Sequence, residues 1–358
     1  MTDRVFIIAE AGVNHDGSLD DARRMIDVAA AAGADAVKFQ TFQAESLVTR
    51  RAGKAAYQTR NTGEDGGQLA MLTALELAQE DHRGLAVHAA ARGVRFMSTA
   101  FDLDSLAFLA ALAMPAIKIP SGDLTWGVML LAAARLDRPL IVSTGMADLD
   151  EIRDALSVIA FGLTRQDTPT GRADLAAAFV SPEGQARLRE RVTLLHCTTE
   201  YPAPLTAVNL RAMDVMAETF GLPVGYSDHT LGISVAVAAV ARGATVIEKH
   251  FTLDRARPGP DHAASLEPAE LADMIAAIRD VEIALGRPVK APAPEELPNR
   301  AIARRSLVAA RPIAAGEPLS LDNLAAKRPA DGVSPMEAWP MLGRPAGRAY
   351  DADEAIDA

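Results

Sequence analysis

Eight short apolar runs, each ending in a polar burst and followed by a helical stretch, constrain this chain more than any other feature. They cover residues 5–9, 35–39, 94–97, 116–119, 140–142 and 192–195, with two more opening at Val224 and Val246. Strand, loop, helix and strand at this spacing make βαβ units, and such units force neighbouring strands to run parallel. Eight of them predict a (β/α)8 barrel, in which functional groups gather at the C-terminal strand ends. Local signals agree. Ser18 with Asp21 three residues on, and Asp148 with Glu151, read as helix N-caps, and Gly33 reads as a helix stop.

The 358 residues exceed what one barrel needs. The surplus lies mostly at the C-terminal side. A helix over 266–285 ends at Gly286, and 287–303 opens with four prolines in twelve residues, which predicts an extended linker of roughly 3 Å per residue. Residues 304–358 then form a small domain of short strands and turns, leaving 1–286 as the barrel. Two stretches are irregular. Residues 43–68 make a long polar loop of the kind that serves as a lid or binding loop. Residues 163–191 are an insertion with helical patterning before the sixth strand.

Composition excludes several classes. The net charge is -11 and no basic run is present, which argues against a nucleic-acid partner. No apolar stretch is long enough to span a membrane, and the first residues are too acidic and their apolar run too short for a secretory leader. Cys197 is the only cysteine, so no intrachain disulfide forms. A soluble cytoplasmic protein is expected.

His229 and His250 end the seventh and eighth runs and should leave a parallel sheet at the same end. Neutral imidazole is a common transition-metal ligand, and each histidine has a nearby acid, Asp228 or Glu248, to fix its tautomer. With two protein ligands, the remaining positions belong to water or substrate, as in a Lewis-acid site. Lys38 and Lys118 lie inside apolar runs, where an ammonium facing the barrel mouth needs an anion. They read either as binders of a phosphate or carboxylate, or as Schiff-base lysines of an aldolase. Thr99, Ser121 and Ser227 complete an anion pocket. Glu10, Glu248 and Asp261 are candidate acids or bases or partners for sugar hydroxyls, and Tyr201 is a candidate substrate contact. His15, His196 and His262 are weaker candidates.

Several motifs together carry a family resemblance. They are Ile8-Ala9-Glu10-Ala11-Gly12-Val13-Asn14-His15, Val37-Lys38-Phe39-Gln40-Thr41 and Lys118-Ile119-Pro120-Ser121-Gly122. They continue with Leu195-His196-Cys197-Thr198 before Tyr201-Pro202, then Gly225-Tyr226-Ser227-Asp228-His229-Thr230 and Glu248-Lys249-His250-Phe251-Thr252. In this order they resemble the sialic acid synthases, including the N-acetylneuraminate, legionaminate and pseudaminate enzymes, and the small domain resembles their antifreeze-like (SAF) domain.

The resemblance implies condensation of phosphoenolpyruvate with an N-acylated mannose-type sugar, either N-acetylmannosamine or a 2,4-diacetamido-2,4,6-trideoxymannose, with release of phosphate. By matching motif, His229 and His250 would hold Mn²⁺ or Mg²⁺. Lys38, Thr99, Lys118, Ser121, Thr199 and Ser227 would bind phosphoenolpyruvate. Glu10, Tyr201, Glu248 and Asp261 would meet the sugar, with Glu10 or Glu248 steering water and protons. Arg328 matches an arginine that the small domain sends to the N-acyl group in the partner subunit, which implies a homodimer. Thr199 stands where some N-acetylneuraminate synthases have asparagine, and the run from Thr198 to Pro204 is closer to legionaminate-type sequences.

Overall fold

The computed structural model describes residues 4–62 and 67–357. Residues 1–3, on which the leader reading partly rests, and 63–66 of the polar loop lie outside them. The chain divides after Gly286 into two compact units.

The first unit is a closed barrel of eight parallel strands in sequence order. They are β1 (Phe6–Gly12), β2 (Ala36–Thr41), β3 (Arg95–Ala100), β4 (Ile117–Ile119), β5 (Leu140–Ser143), β6 (Val192–Cys197), β7 (Val224–Asp228) and β8 (Val246–His250). The expected helix signals are in place. The Ser18 hydroxyl accepts from the Asp21 amide, Gly33 takes φ 83°, and Asp148 and Glu151 form a reciprocal capping box.

Side chains alternate across each strand, so a strand that plugs the barrel with an apolar residue presents its next inward residue one layer higher. Ile8, Ala36, Met97, Ala116, Ile141, Leu195 and Val246 fill the interior. Two residues further along are Glu10, Lys38, Thr99, Lys118, Ser143, Cys197 and Glu248, all lining one cavity at the mouth. In β7 the pair is Gly225 and Ser227. A Cβ at Gly225 would sit 2.4 Å from the Val246 carbonyl oxygen and 2.7 Å from Leu195 Cδ2, so only glycine fits this crowded layer. Gly225→Ala is expected to destabilise the barrel by about 1–3 kcal/mol through overpacking. Thermal unfolding of the purified variant checks this.

Two expectations change, and the helical patterning of residues 163–191 is borne out. The polar loop is partly helical, with Ala44–Leu47 and Ala56–Thr62, and a helix Gln68–Leu75 follows it. Leu47 and, from that helix, Met71, Leu72 and Leu75 pack with Val13, Phe42 and Phe101. Asn61 pins the loop to the carbonyls of Tyr201 (3.1 Å) and Pro260 (2.7 Å). The insertion forms two helices, Arg172–Val180 and Pro182–Arg191, packed on the helix Leu149–Thr164. The linker is not extended throughout, because a 3₁₀ turn (Pro294–Glu296) leads into a helix (Leu297–Ala303). Pro294 and Pro298 sit in first turns, where a missing N–H breaks no hydrogen bond.

In the second unit, β9 (Ser306–Ala309) pairs antiparallel with β10 (Leu324–Lys327). Leu307, Ala309, Ile313, Leu319, Leu324, Tyr350 and Ile356 form a separate small core. Arg328 follows β10 and is exposed, and its side chain makes no hydrogen bond or ion pair among the described residues.

Candidate active site

The mouth of the barrel holds a cavity of about 490 Å³. Its floor is a buried cluster of two ammonium and two carboxyl groups. Lys38 Nζ lies 2.7 Å from Glu10 Oε2 and 3.5 Å from Glu248 Oε2, and it donates to Thr99 Oγ1 at 2.9 Å. Lys118 Nζ donates to Ser143 Oγ at 2.7 Å and lies 3.6 Å from Glu248 Oε1. Ser227 Oγ donates to the same Glu248 oxygen at 2.9 Å. Strand register makes these meetings possible, since Glu10 is paired with Lys38, Thr99 with Lys118 and Ser227 with Glu248.

The two carboxyl groups differ in character. Burial pushes Glu10 up to about 7, despite the ammonium of Lys38 beside it. Burial also acts to raise Glu248, but Lys118, Lys38 and the Ser227 hydroxyl overcome it and hold the group at about 2. Near neutrality Glu10 can therefore exchange a proton while Glu248 stays a fixed anion. The lysines divide as well. Burial lowers Lys118, whereas for Lys38 the attraction of Glu10 and Glu248 outweighs burial and raises it.

His229 and His250 stand at the rim with ring centroids 5.5 Å apart. The His229 Nδ1–H donates to the Thr198 carbonyl at 2.6 Å, which leaves a lone pair on Nε2, 3.4 Å from Ser227 Oγ. His250 Nδ1 is buried without a hydrogen-bond partner, 3.8 Å from Asp261 Oδ2. Burial lowers both rings, His229 to about 4 and His250 well below its usual value, so both are neutral at physiological pH. Neutral, incompletely partnered imidazoles suit a divalent cation. Among the described residues no group of three or more His, Cys, Asp or Glu side chains is placed to hold a metal, so water or substrate would complete the coordination.

The expected tautomer-fixing role of the neighbouring acids is not what the structure has. Asp228 pairs with Lys249 at 2.9 Å, and Glu248 engages Ser227 and the two lysines. The Thr198 carbonyl, brought over from the loop after β6, orients His229 instead. Adjacency in a strand puts Asp228 on the opposite face from His229, so the sequence neighbour is a spatial stranger.

Tyr201 packs on His229 with centroids 4.1 Å apart and on Tyr57 at 4.9 Å. Asp261 is buried at the same rim, and burial pushes its carboxyl up to about 6. The Thr199 hydroxyl oxygen is buried and unpartnered. It faces a space bounded by Ser121 and Cys197, kept open because Gly145 has no Cβ, and a Cβ there would lie 2.4 Å from Thr199 Oγ1. Glu10, Lys38, Thr99, Lys118, Ser121, Thr199, Tyr201, Ser227, His229, Glu248, His250 and Asp261 thus share one cavity.

His15, His196 and His262 do not join it. His15 Nδ1 accepts from the Gly17 amide, His196 pairs with the Val208 carbonyl, and His262 bridges Thr252 and Asp16. Ser143 and Tyr57 are among the cavity residues that escaped the sequence reading, as are Gln40, Gln58, Asp123 and Cys197. Ser143 carried the same signal as Ser227, a hydroxyl at the end of a strand. Tyr57 had none, because its place depends on how the 43–68 segment folds back.

Residues 25–290 match the NeuB family and residues 304–358 match the SAF domain. The sequence is 45% identical over 353 residues to an N,N'-diacetyllegionaminic acid synthase of Campylobacter jejuni, covering 99% of each chain. It is 46% identical over 338 residues to the protein of the same name from Legionella pneumophila, covering 94% of this chain and 89% of that one. Among solved structures, an N-acetylneuraminic acid (sialic acid) synthetase from Leptospira borgpetersenii superposes with a TM-score of 0.66 at 32% identity, over 83% of this chain and 90% of that one. The barrel, the order of its motifs and these likenesses lead to one conclusion: the chain belongs to the NeuB family.

Proposed function

We propose that this enzyme condenses phosphoenolpyruvate with 2,4-diacetamido-2,4,6-trideoxymannose and water, giving a nine-carbon 2-keto-3-deoxy acid and phosphate. The observation that carries the reading is the floor of the cavity, where two buried lysines meet two carboxyl groups of opposite proton affinity. The choice of sugar is supported by the two legionaminic acid synthases, both more similar to this chain than the sialic acid synthetase is.

Lys38 and Lys118 take the phosphate and carboxylate of phosphoenolpyruvate, aided by the hydroxyls of Thr99, Ser121, Thr199 and Ser227. Tyr201 and Asp261 hold the sugar at the rim. C3 of phosphoenolpyruvate forms a bond to the aldehyde carbon as the carbonyl π pair moves to the aldehyde oxygen, which takes a proton from water to become a hydroxyl, and positive charge develops at C2. Glu248, kept ionised, stabilises that charge. Glu10 takes a proton from the water that adds at C2; the bond from C2 to the bridging oxygen then breaks, the new C2 hydroxyl becomes the keto group, and its proton leaves with the phosphate. A divalent cation on His229 and His250, Mn²⁺ or Mg²⁺, supplies electrophilic activation of the aldehyde oxygen when bound. Arg328 of a second copy would reach the N-acyl group, which makes the working unit a homodimer. Among the described residues no helix is long and apolar enough to cross a membrane, and the proposed location is the cytoplasm.

A phosphate-release assay with phosphoenolpyruvate and a panel of sugars tests this. The trideoxy sugar should be turned over faster than N-acetylmannosamine or its 6-phosphate. EDTA should abolish release and Mn²⁺ restore it, whereas full activity in metal-free buffer would sink the cation's role. The lowered proton affinity of the buried Lys118 amine is the one feature favouring a Schiff-base aldolase of pyruvate. Borohydride should trap no pyruvate adduct on Lys118, and a trapped adduct would favour that second reading.

A further inference from the structure

Lys249 and Asp228 are both fully buried, with 0% side-chain exposure, yet neither lines the cavity. Lys249 lies between Glu248 and His250, and Asp228 between Ser227 and His229. Alternation therefore turns both away from the site, onto the outer face of the sheet. They are direct cross-strand partners of β7 and β8. Lys249 Nζ donates to Asp228 Oδ2 at 2.9 Å and also to the Thr230 carbonyl. The other Asp228 oxygen accepts from the Thr230 amide at 2.9 Å and from its hydroxyl at 2.8 Å. The residues on both sides of His229 are thus tied to the strand that carries His250.

We infer that the Asp228–Lys249 pair is a positioning clamp that sets the spacing of His229 and His250 for a divalent cation. The inference rests on the cation reading given above. A buried ion pair is a poor device for stability alone, since apolar residues of similar size commonly serve as well or better. What an apolar pair lacks is direction. Here one ammonium fixes both the carboxylate before His229 and the carbonyl after it. The ring is then oriented from its other side by Thr198. A ligand held this way from behind the sheet is pre-organised before any cation arrives.

The test is Mn²⁺ binding to the purified full chain, followed by electron paramagnetic resonance titration, alongside the thermal midpoint. Asp228→Leu combined with Lys249→Met removes both charges and leaves no unpaired one. The variant should keep a midpoint at or above the wild type and bind Mn²⁺ about 10–100-fold more weakly. Wild-type affinity in the folded double variant overturns the clamp. Should that variant fail to fold, Thr230→Val carries the test, because it keeps both charges and removes one tie to Asp228. A severalfold weaker affinity supports the clamp and an unchanged one overturns it. His229→Ala separates the two readings. If it retains wild-type Mn²⁺ affinity, the cation site itself is wrong and the clamp falls with it. If it loses Mn²⁺ while the double variant does not, only the clamp is wrong.

Discussion

Replacing Glu10 with glutamine is expected to lower kcat by about 10²–10⁴-fold, the usual worth of a positioned proton acceptor. The wild-type rate should climb as pH rises through about 7, where Glu10 loses its proton, and the variant should lack that limb. Glutamine keeps the size of the side chain, so Lys38 retains an oxygen to bond. What disappears is the ability to take a proton from water. Stability should move in the opposite sense. Below 4.5, the ordinary value, Glu10 is protonated whether the chain is folded or not. Above it the unfolded chain gives up the proton while the folded chain keeps it, so the group's contribution is lost as pH rises through about 7. Glu10→Gln removes this dependence, and thermal midpoints measured from pH 4.5 to about 7 should fall less for the variant. A wild-type pH profile in Glu10→Gln would show that another group takes the proton.

Lys118→Met should lower kcat by about 10²–10³-fold, the typical cost of removing one donor aimed at developing negative charge. It should also raise KM for phosphoenolpyruvate. The mechanism runs through two contacts. Lys118 is a candidate anion ligand in its own right, and it is the foremost of the charges that oppose burial at Glu248. Without it, Glu248 keeps Lys38, at 3.5 Å, and the Ser227 hydroxyl, and its carboxyl should move upward. The variant's pH profile should therefore gain an acid limb absent from the wild type. Steady-state kinetics across pH check both parts. An unchanged KM for phosphoenolpyruvate would remove Lys118 from the anion site.

These two residues also show how far the sequence could be read. Lys38 and Lys118 stood out because a lysine flanked by apolar residues in a strand has few cheap places to go. Their barrel-mouth position followed from alternation alone. The same rule, applied one residue too locally, misassigned Asp228, because a sequence neighbour in a strand lies on the opposite face. Which of Glu10 and Glu248 handles protons was not readable. Both are acids in apolar strands, and only three-dimensional proximity shows that two lysines lie within reach of Glu248 while Glu10 has its close contact with Lys38 alone. Tyr57 and the Thr198 carbonyl were invisible for a related reason. They reach the site through loops whose folding depends on long-range bonds, such as those of Asn61 to residues 140 and 199 positions away.

The most direct test of the account follows one oxygen atom. With phosphoenolpyruvate carrying ¹⁸O in the bridging C2–O–P position, addition of water at C2 and loss of phosphate by C2–O cleavage must place the label in the released phosphate. Mass spectrometry of the products should find all of it there and none in the 2-keto group of the sugar acid. Label retained in the keto group would mean that the P–O bond breaks instead, and would contradict a mechanism in which Glu10 activates water for attack at C2.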